Sequence, residues 1–177
     1  PDARPVIPES AAYAPPVPVE LDLSPFAAAR VLERPGTGLI SVRIVVHSGS
    51  AHDPADRSGL AAITAEMMEQ GGGDLDGFAL SLAAERLGAD LSVLGRRDYS
   101  VASLEVTASN LKPALALLAD VVLRPQFDGQ EWVRSQALWL EDLAARAFQP
   151  RALAGLAGDA ALYGADHGYG RPVDGLL

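Results

Sequence analysis

The stretch Gly59 to Gly73, GLAAITAEMMEQGGG, constrains the chain more than any other, because its apolar residues recur at helical and not at strand spacing. Leu60, Ile63, Thr64, Met67 and Met68 stand at i, i+3, i+4, i+7 and i+8, which predicts a helix with that stripe packed on a core. The other side carries Ala62, Ala65, Glu66 and Glu69. Positions 62 and 66 lie one turn apart, the spacing at which two helical side chains can reach one metal ion, yet neither is histidine.

A chain of 177 residues with 49% hydrophobic residues is long and apolar enough to bury a core. A formal charge of −9 argues against a nucleic-acid partner. Arg96-Arg97 is the only adjacent basic pair, and a hairpin turn accounts for it. The absence of cysteine excludes disulfides, thiolate metal sites and a cysteine nucleophile. No apolar run is as long as a membrane span. Pro1 in place of an initiator methionine reads as a processed product or a fragment.

Residues 1–25 are rich in proline and read as an extended arm or linker, and 26–177 as one folded domain. The proline-rich start leans towards export to a bacterial periplasm. From Ala27 the pattern turns to period two, with Ala29 and Val31, then Ile40, Val42, Ile44 and Val46, predicting strands with one buried face. Ser58 is the expected N-cap of the opening helix. A second helix is expected over Leu75–Leu87, starting at Asp74 and stopped by Gly88. Leu91–Leu94 and Tyr99–Val106 should form a hairpin. Further helices are predicted over 110–123 (stripe Leu111, Leu115, Leu118, Val122), 128–147 (Val133, Ala137, Leu140, Ala144) and from Pro150 to Leu162. Hairpins in place of regular βαβ crossovers favour an α+β fold, an antiparallel sheet with helices packed on one face.

The run GSAHDPADRSGLAAITAEMMEQGGG resembles the first signature segment of the pitrilysin/insulinase family of zinc peptidases, whose active members carry an inverted His-x-x-Glu-His motif on a helix. The resemblance continues in order through GADLSV and RDYSVASLEV, LALLADVVLRPQF, Gln149-Pro150 and LYGADHGYGRP. It implies a metalloprotease-like sandwich repeated in two similar halves, of which this chain matches one and stops short at Leu177. Carried over by position, the ligand histidines fall on Ala62 and Glu66 and the catalytic glutamate on Ala65; none can do that chemistry. The remaining zinc ligand of active members would fall near Glu141 or Asp142, which read more simply as a solvated helix face. The chain thus resembles the non-catalytic members. No catalytic, cofactor-binding or metal residue is expected in it, and zinc is expected in a catalytic partner.

Other constellations are weaker. His47 and His52 with Asp53 or Asp56 lack a ligand spacing, and His167 reads as a loop hydrogen bond. Gly71-Gly72-Gly73 lacks the Lys-Ser/Thr of a phosphate loop and reads as a helix end. Ser48, Ser50 and Ser58 sit in no nucleophile elbow. Met67, Met68, Trp132 and Trp139 read as core or inter-domain packing. The expected function is a non-catalytic subunit or half of a pitrilysin-type peptidase that pairs with a catalytic unit, and with the missing portion of its own subunit, to enclose peptide substrates. A structural or assembly protein of the same fold is the alternative, and a divergent metallopeptidase the third reading.

Overall fold

The computed structural model describes residues 14–24 and 27–176. Two compact units divide at Gly38/Leu39. In the first, β1 (Val19–Ser24) pairs antiparallel with β2 (Ala27–Val31). The register sets Val19 opposite Val31, Leu21 opposite Ala29 and Glu20 opposite Arg30, whose side chains form a 2.9 Å ion pair. Part of the expected arm or linker is thus a paired strand: Val19, Leu21 and Leu23 alternate with Glu20, Asp22 and Ser24, a period-two signal that the neighbouring prolines mask. Residues 1–13 and Pro25 of that arm lie outside the described residues.

The second unit is built on a three-stranded antiparallel sheet in the order β3 (Leu39–Val46), β7 (Ser100–Thr107), β6 (Asp90–Gly95). Direct pairing puts Ile40, Val42, Ile44 and Val46 on the same face as Val106, Leu104, Ala102 and Ser100, and these on the same face as Leu91, Val93 and Gly95. The opposite face carries Ser41, Arg43, Ser92, Ser103, Glu105 and Thr107. One face is therefore apolar and receives α1 (Leu60–Met68), α2 (Gly77–Leu87) and α3 (Leu111–Leu123). Ala65, Leu80, Val93, Ala102, Leu104, Val106, Ala114, Leu118 and Val121 form the core. The architecture is the α+β arrangement that the pattern implies, helices on one face of an antiparallel sheet.

Helix boundaries follow local chemistry. Asp76, not Asp74, caps α2 by accepting from the Ala79 amide at 2.8 Å, and Gly88 ends it in the left-handed conformation. Leu75–Asp76 is instead a short strand, β5, paired with β4 (Gly71–Gly72). The glycine triplet is thus more than a helix end: a Cβ on Gly72 would lie 2.9 Å from the Val121 amide nitrogen, so only glycine lets β4 run against α3. On α3 the buried residues are Ala114, Leu118 and Val121, a stripe rotated from the expected one that leaves Leu115 partly exposed. Asp128 caps α4 (Gly129–Arg146), and α5 (Pro150–Tyr163) opens on its proline. The expected Val133, Ala137, Leu140 and Ala144 side of α4 is exposed within this chain; Ser135 and Leu143 are its buried positions. Apolar period places the helix, but which of its faces meets protein depends on what packs on it.

Candidate functional site

The site is the row of α1 that carries positions 62, 66 and 69, together with the free edge of β6. On a helix, Ala62 and Glu69 lie seven residues apart and share a face, with Glu66 beside them. Two contacts set this row along β6. A Cβ on Gly95 would lie 2.8 Å from both the Ala61 carbonyl oxygen and the Ala62 Cα, so the first turn of α1 touches the last residue of β6. One turn past the motif, the Glu69 Oε1 accepts a hydrogen bond from the Val93 amide in the middle of β6.

Burial corrects the expected orientation of α1. Ala62 and Ala65 are 5% and 3% exposed and Met67 is buried, whereas Leu60 is exposed and Ile63, Thr64 and Met68 are half-buried. The alanine face, read from the pattern as the outer one, is the face against the sheet. Small side chains permit the close backbone approach at Gly95, and periodicity alone ranks bulky residues above alanine. Glu66 is exposed.

The start of α1 also differs from expectation. Its N-cap is Gly59, in the left-handed region at φ +96°, and no side chain at that position caps it. Ser58 instead donates to the Pro172 carbonyl at 3.2 Å. The capping group is Asp53, six residues upstream and 8% exposed, which accepts from the Gly59 amide at 2.9 Å and the Ala61 amide at 3.1 Å. A negative charge is placed at the positive end of the helix. The Arg171 guanidinium holds the Asp53 and Pro54 carbonyls at 3.0 and 2.9 Å. Trp139 and Arg146 of α4 bind Asp174, through its carbonyl and its carboxylate. The C-terminal segment therefore clamps the loop that leads into α1. None of this long-range polar bracing has a sequence signature.

The donor set does not fit zinc. Ala62 and Ala65 offer no ligand atom, and Glu141 and Asp142 are both exposed on α4. Among the described residues no group of three His, Asp or Glu side chains comes close enough to hold a metal ion. His47 and His52 are exposed, and the His52 Nδ1 lies 3.5 Å from the Gly49 amide. His167 accepts from the Tyr169 amide at 3.1 Å and packs with the Tyr163 and Tyr169 rings, so the loop-bond reading holds. Arg97 does more than turn a hairpin: it donates to the Tyr169 and Arg171 carbonyls and pairs with Asp159 at 3.2 Å. Trp139 is half-buried against the C-terminal segment and Trp132 is exposed.

An open, mostly apolar cleft of about 360 Å³ lies between α1 and the sheet, lined by Ile44, Val46, Leu60, Thr64, Met68 and Val101 among others. Two of its polar members are engaged: Asp53 caps α1, and the Ser100 hydroxyl donates to the Ser48 carbonyl at 2.8 Å. The cleft can shelter apolar side chains.

The sequence profile described as Insulinase (Peptidase family M16) matches residues 31–157. The chain belongs to the insulinase family, peptidase family M16. Among solved structures this insulinase-family chain is similar to a peptidase M16 inactive domain from Pseudomonas fluorescens, with 28% identity, a TM-score of 0.85, and coverage of 90% of this chain and 39% of that one. It is also similar to a protease from Helicobacter pylori (18% identity, TM-score 0.79, 91% and 39% covered). A third is the periplasmic protease PqqL from Escherichia coli (17%, 0.73, 86% and 17%). The last two likenesses speak for the fold. The chain spans 39% of the length of each of the first two structures. No curated protein matches it in sequence. No helix among the described residues is long and apolar enough to cross a membrane.

Proposed function

We propose that this chain is a non-catalytic unit of a pitrilysin-type peptidase assembly, which pairs with a catalytic unit to enclose and position peptide substrates while the zinc and the cutting reside in that partner. The observation that carries this reading is α1 itself: the helix is capped, packed and clamped at both ends of its entry loop, yet its motif positions Ala62 and Ala65 have no donor atoms. One zinc per chamber is enough for hydrolysis, so a second unit can lose its ligands provided its helix still packs. The likeness to an M16 inactive domain supports the same assignment. The share of that structure covered, 39%, leaves room for further polypeptide to complete the unit. The proline-rich start and the periplasmic neighbour support a periplasmic address.

The test is native mass spectrometry and metal analysis of the protein isolated from its own cells. The expected result is a complex with a second polypeptide carrying an intact inverted zinc motif, with stoichiometric zinc assigned to that partner. A lone chain that retains tightly bound zinc and cleaves peptides overturns the proposal.

A further inference from the structure

Among the described residues β6 has a partner strand on one side only, and its other edge adjoins α1. In an antiparallel pair, alternate residues turn their amide and carbonyl towards the partner strand and the others turn outward. Two observations fix the phase in β6. The Arg96 amide bonds inward to the Tyr99 carbonyl at the turn, and the Val93 amide bonds outward to Glu69. Leu91, Val93 and Gly95 therefore present the outward backbone groups, and Val93 is the central one.

A row of backbone groups with no partner strand is a template on which another chain can add a strand, and folded proteins blunt such edges. Proline and lysine are absent from Asp90–Gly95, so the strand carries neither of the usual edge-blocking residues. We propose that Glu69 closes the β6 edge to strand addition, its carboxylate taking the central backbone donor that an incoming strand would need. The placement carries a cost that a surface carboxylate would not bear. Burial raises the Glu69 pKa, the Val93 bond opposes that rise, and the charges of Glu66 and Asp90 add to it. A carboxylate held in a desolvated place by one backbone amide is a group with a local task. The inference rests on the edge geometry and holds whether or not a catalytic partner exists.

The experiment compares the wild-type chain with Glu69→Met, which fills the same space without a strong acceptor, and Glu69→Gln, which keeps an acceptor oxygen. Amide exchange by NMR reads the edge residue by residue, sedimentation velocity reads self-association, and tryptophan fluorescence confirms folding. In the wild type and in Glu69→Gln, the Val93 amide should exchange at least about tenfold more slowly than those of Leu91 and Gly95. In Glu69→Met its exchange should speed up to their rate, and the chain should associate through the opened edge with rising concentration. A Val93 amide that exchanges as fast as its neighbours in the wild type, or stays protected in Glu69→Met, overturns the proposal. So does a Glu69→Met chain that exposes Val93 and remains monomeric, because something else then closes the edge. Failure of the catalytic-partner test would leave all three outcomes unchanged.

Discussion

Replacing Asp53 by alanine removes the group that starts α1, and the structure sets the size of the effect. The carboxylate accepts two backbone bonds, one from the buried Gly59 amide and one from the half-buried Ala61 amide. Orphaning the first costs about 2–3 kcal/mol, within the range for hydrogen bonds to a charged acceptor. The second, which water can partly replace, adds about 1 kcal/mol, in line with the loss of an N-cap. The expected loss is therefore about 3–4 kcal/mol, a large share of the ~5–15 kcal/mol that holds a domain together. Asp53→Asn keeps one acceptor oxygen but turns an amide donor towards the other N–H, so it should lose about half as much. Both tryptophans, Trp132 and Trp139, lie in α4, which packs on α1, so their fluorescence reports the relevant region in a urea titration. With an m-value of about 2 kcal/mol/M, Asp53→Ala should lower the midpoint by roughly 1.5–2 M at unchanged slope. If both variants fell within about 0.5 kcal/mol of wild type, the typical effect of a surface change, the capping argument would be refuted.

Three further outcomes follow from the same site. Gly95→Ala places a methyl group 2.8 Å from the Ala61 oxygen and the Ala62 Cα, and should cost about 1–3 kcal/mol in urea unfolding as α1 is pushed off β6; a neutral result would mean that the helix is free to shift. Because the folded-state pKa of Glu69 is raised by burial, its favourable contribution is complete only below the ordinary value of 4.5 and is lost as pH rises through the folded value. Glu69→Gln should therefore be more stable than wild type at pH 7, with the gap closing towards pH 4; a gap that widens in acid would contradict the assigned direction. Ala62→His/Ala65→Glu/Glu66→His restores the motif residues but overfills two buried positions, and should unfold at a urea midpoint lower by an amount equivalent to at least about 2 kcal/mol. Retention of one zinc per chain through gel filtration by that variant would show a ligand set that the present arrangement lacks.

Strand and helix placement was largely legible because period-two and period-3.6 patterns survive along most of the chain. The β6–β7 hairpin, the Gly88 stop and the Asp128 start each lie where turn and capping chemistry puts them. The faces were less legible. On α1 the pattern weights Leu60 and Ile63 over Ala62 and Ala65, although close approach to a glycine on the neighbouring strand selects for alanine. On α4 the apolar Val133 and Leu140 side is real in sequence but stays exposed among the described residues. Strand β1 was hidden by the prolines on either side of it. The polar bracing of the site was not legible at all, because Asp53 with Gly59, Glu69 with Val93, and Trp139 with Asp174 are pairings of distance and not of pattern.

These long-range pairings bear on why a helix without its chemistry keeps its shape. A motif that had merely decayed would leave α1 loosely held beside the sheet, with polar groups at its end bonded to water. Instead Asp53 caps it, Arg171 fixes the cap, and Ala62 sits against Gly95 at a distance that a larger pair could not reach. Glu69 then ties the far end of the same face to Val93. Of the motif positions, Ala62 and Ala65 serve here to pack helix on sheet, whereas the exposed Glu66 contributes neither a ligand nor a core contact. The row that would serve a metal has become the seam between α1 and β6, and the two substitutions that widen that seam, Gly95→Ala and Ala62→His, should each loosen the edge that Glu69 closes.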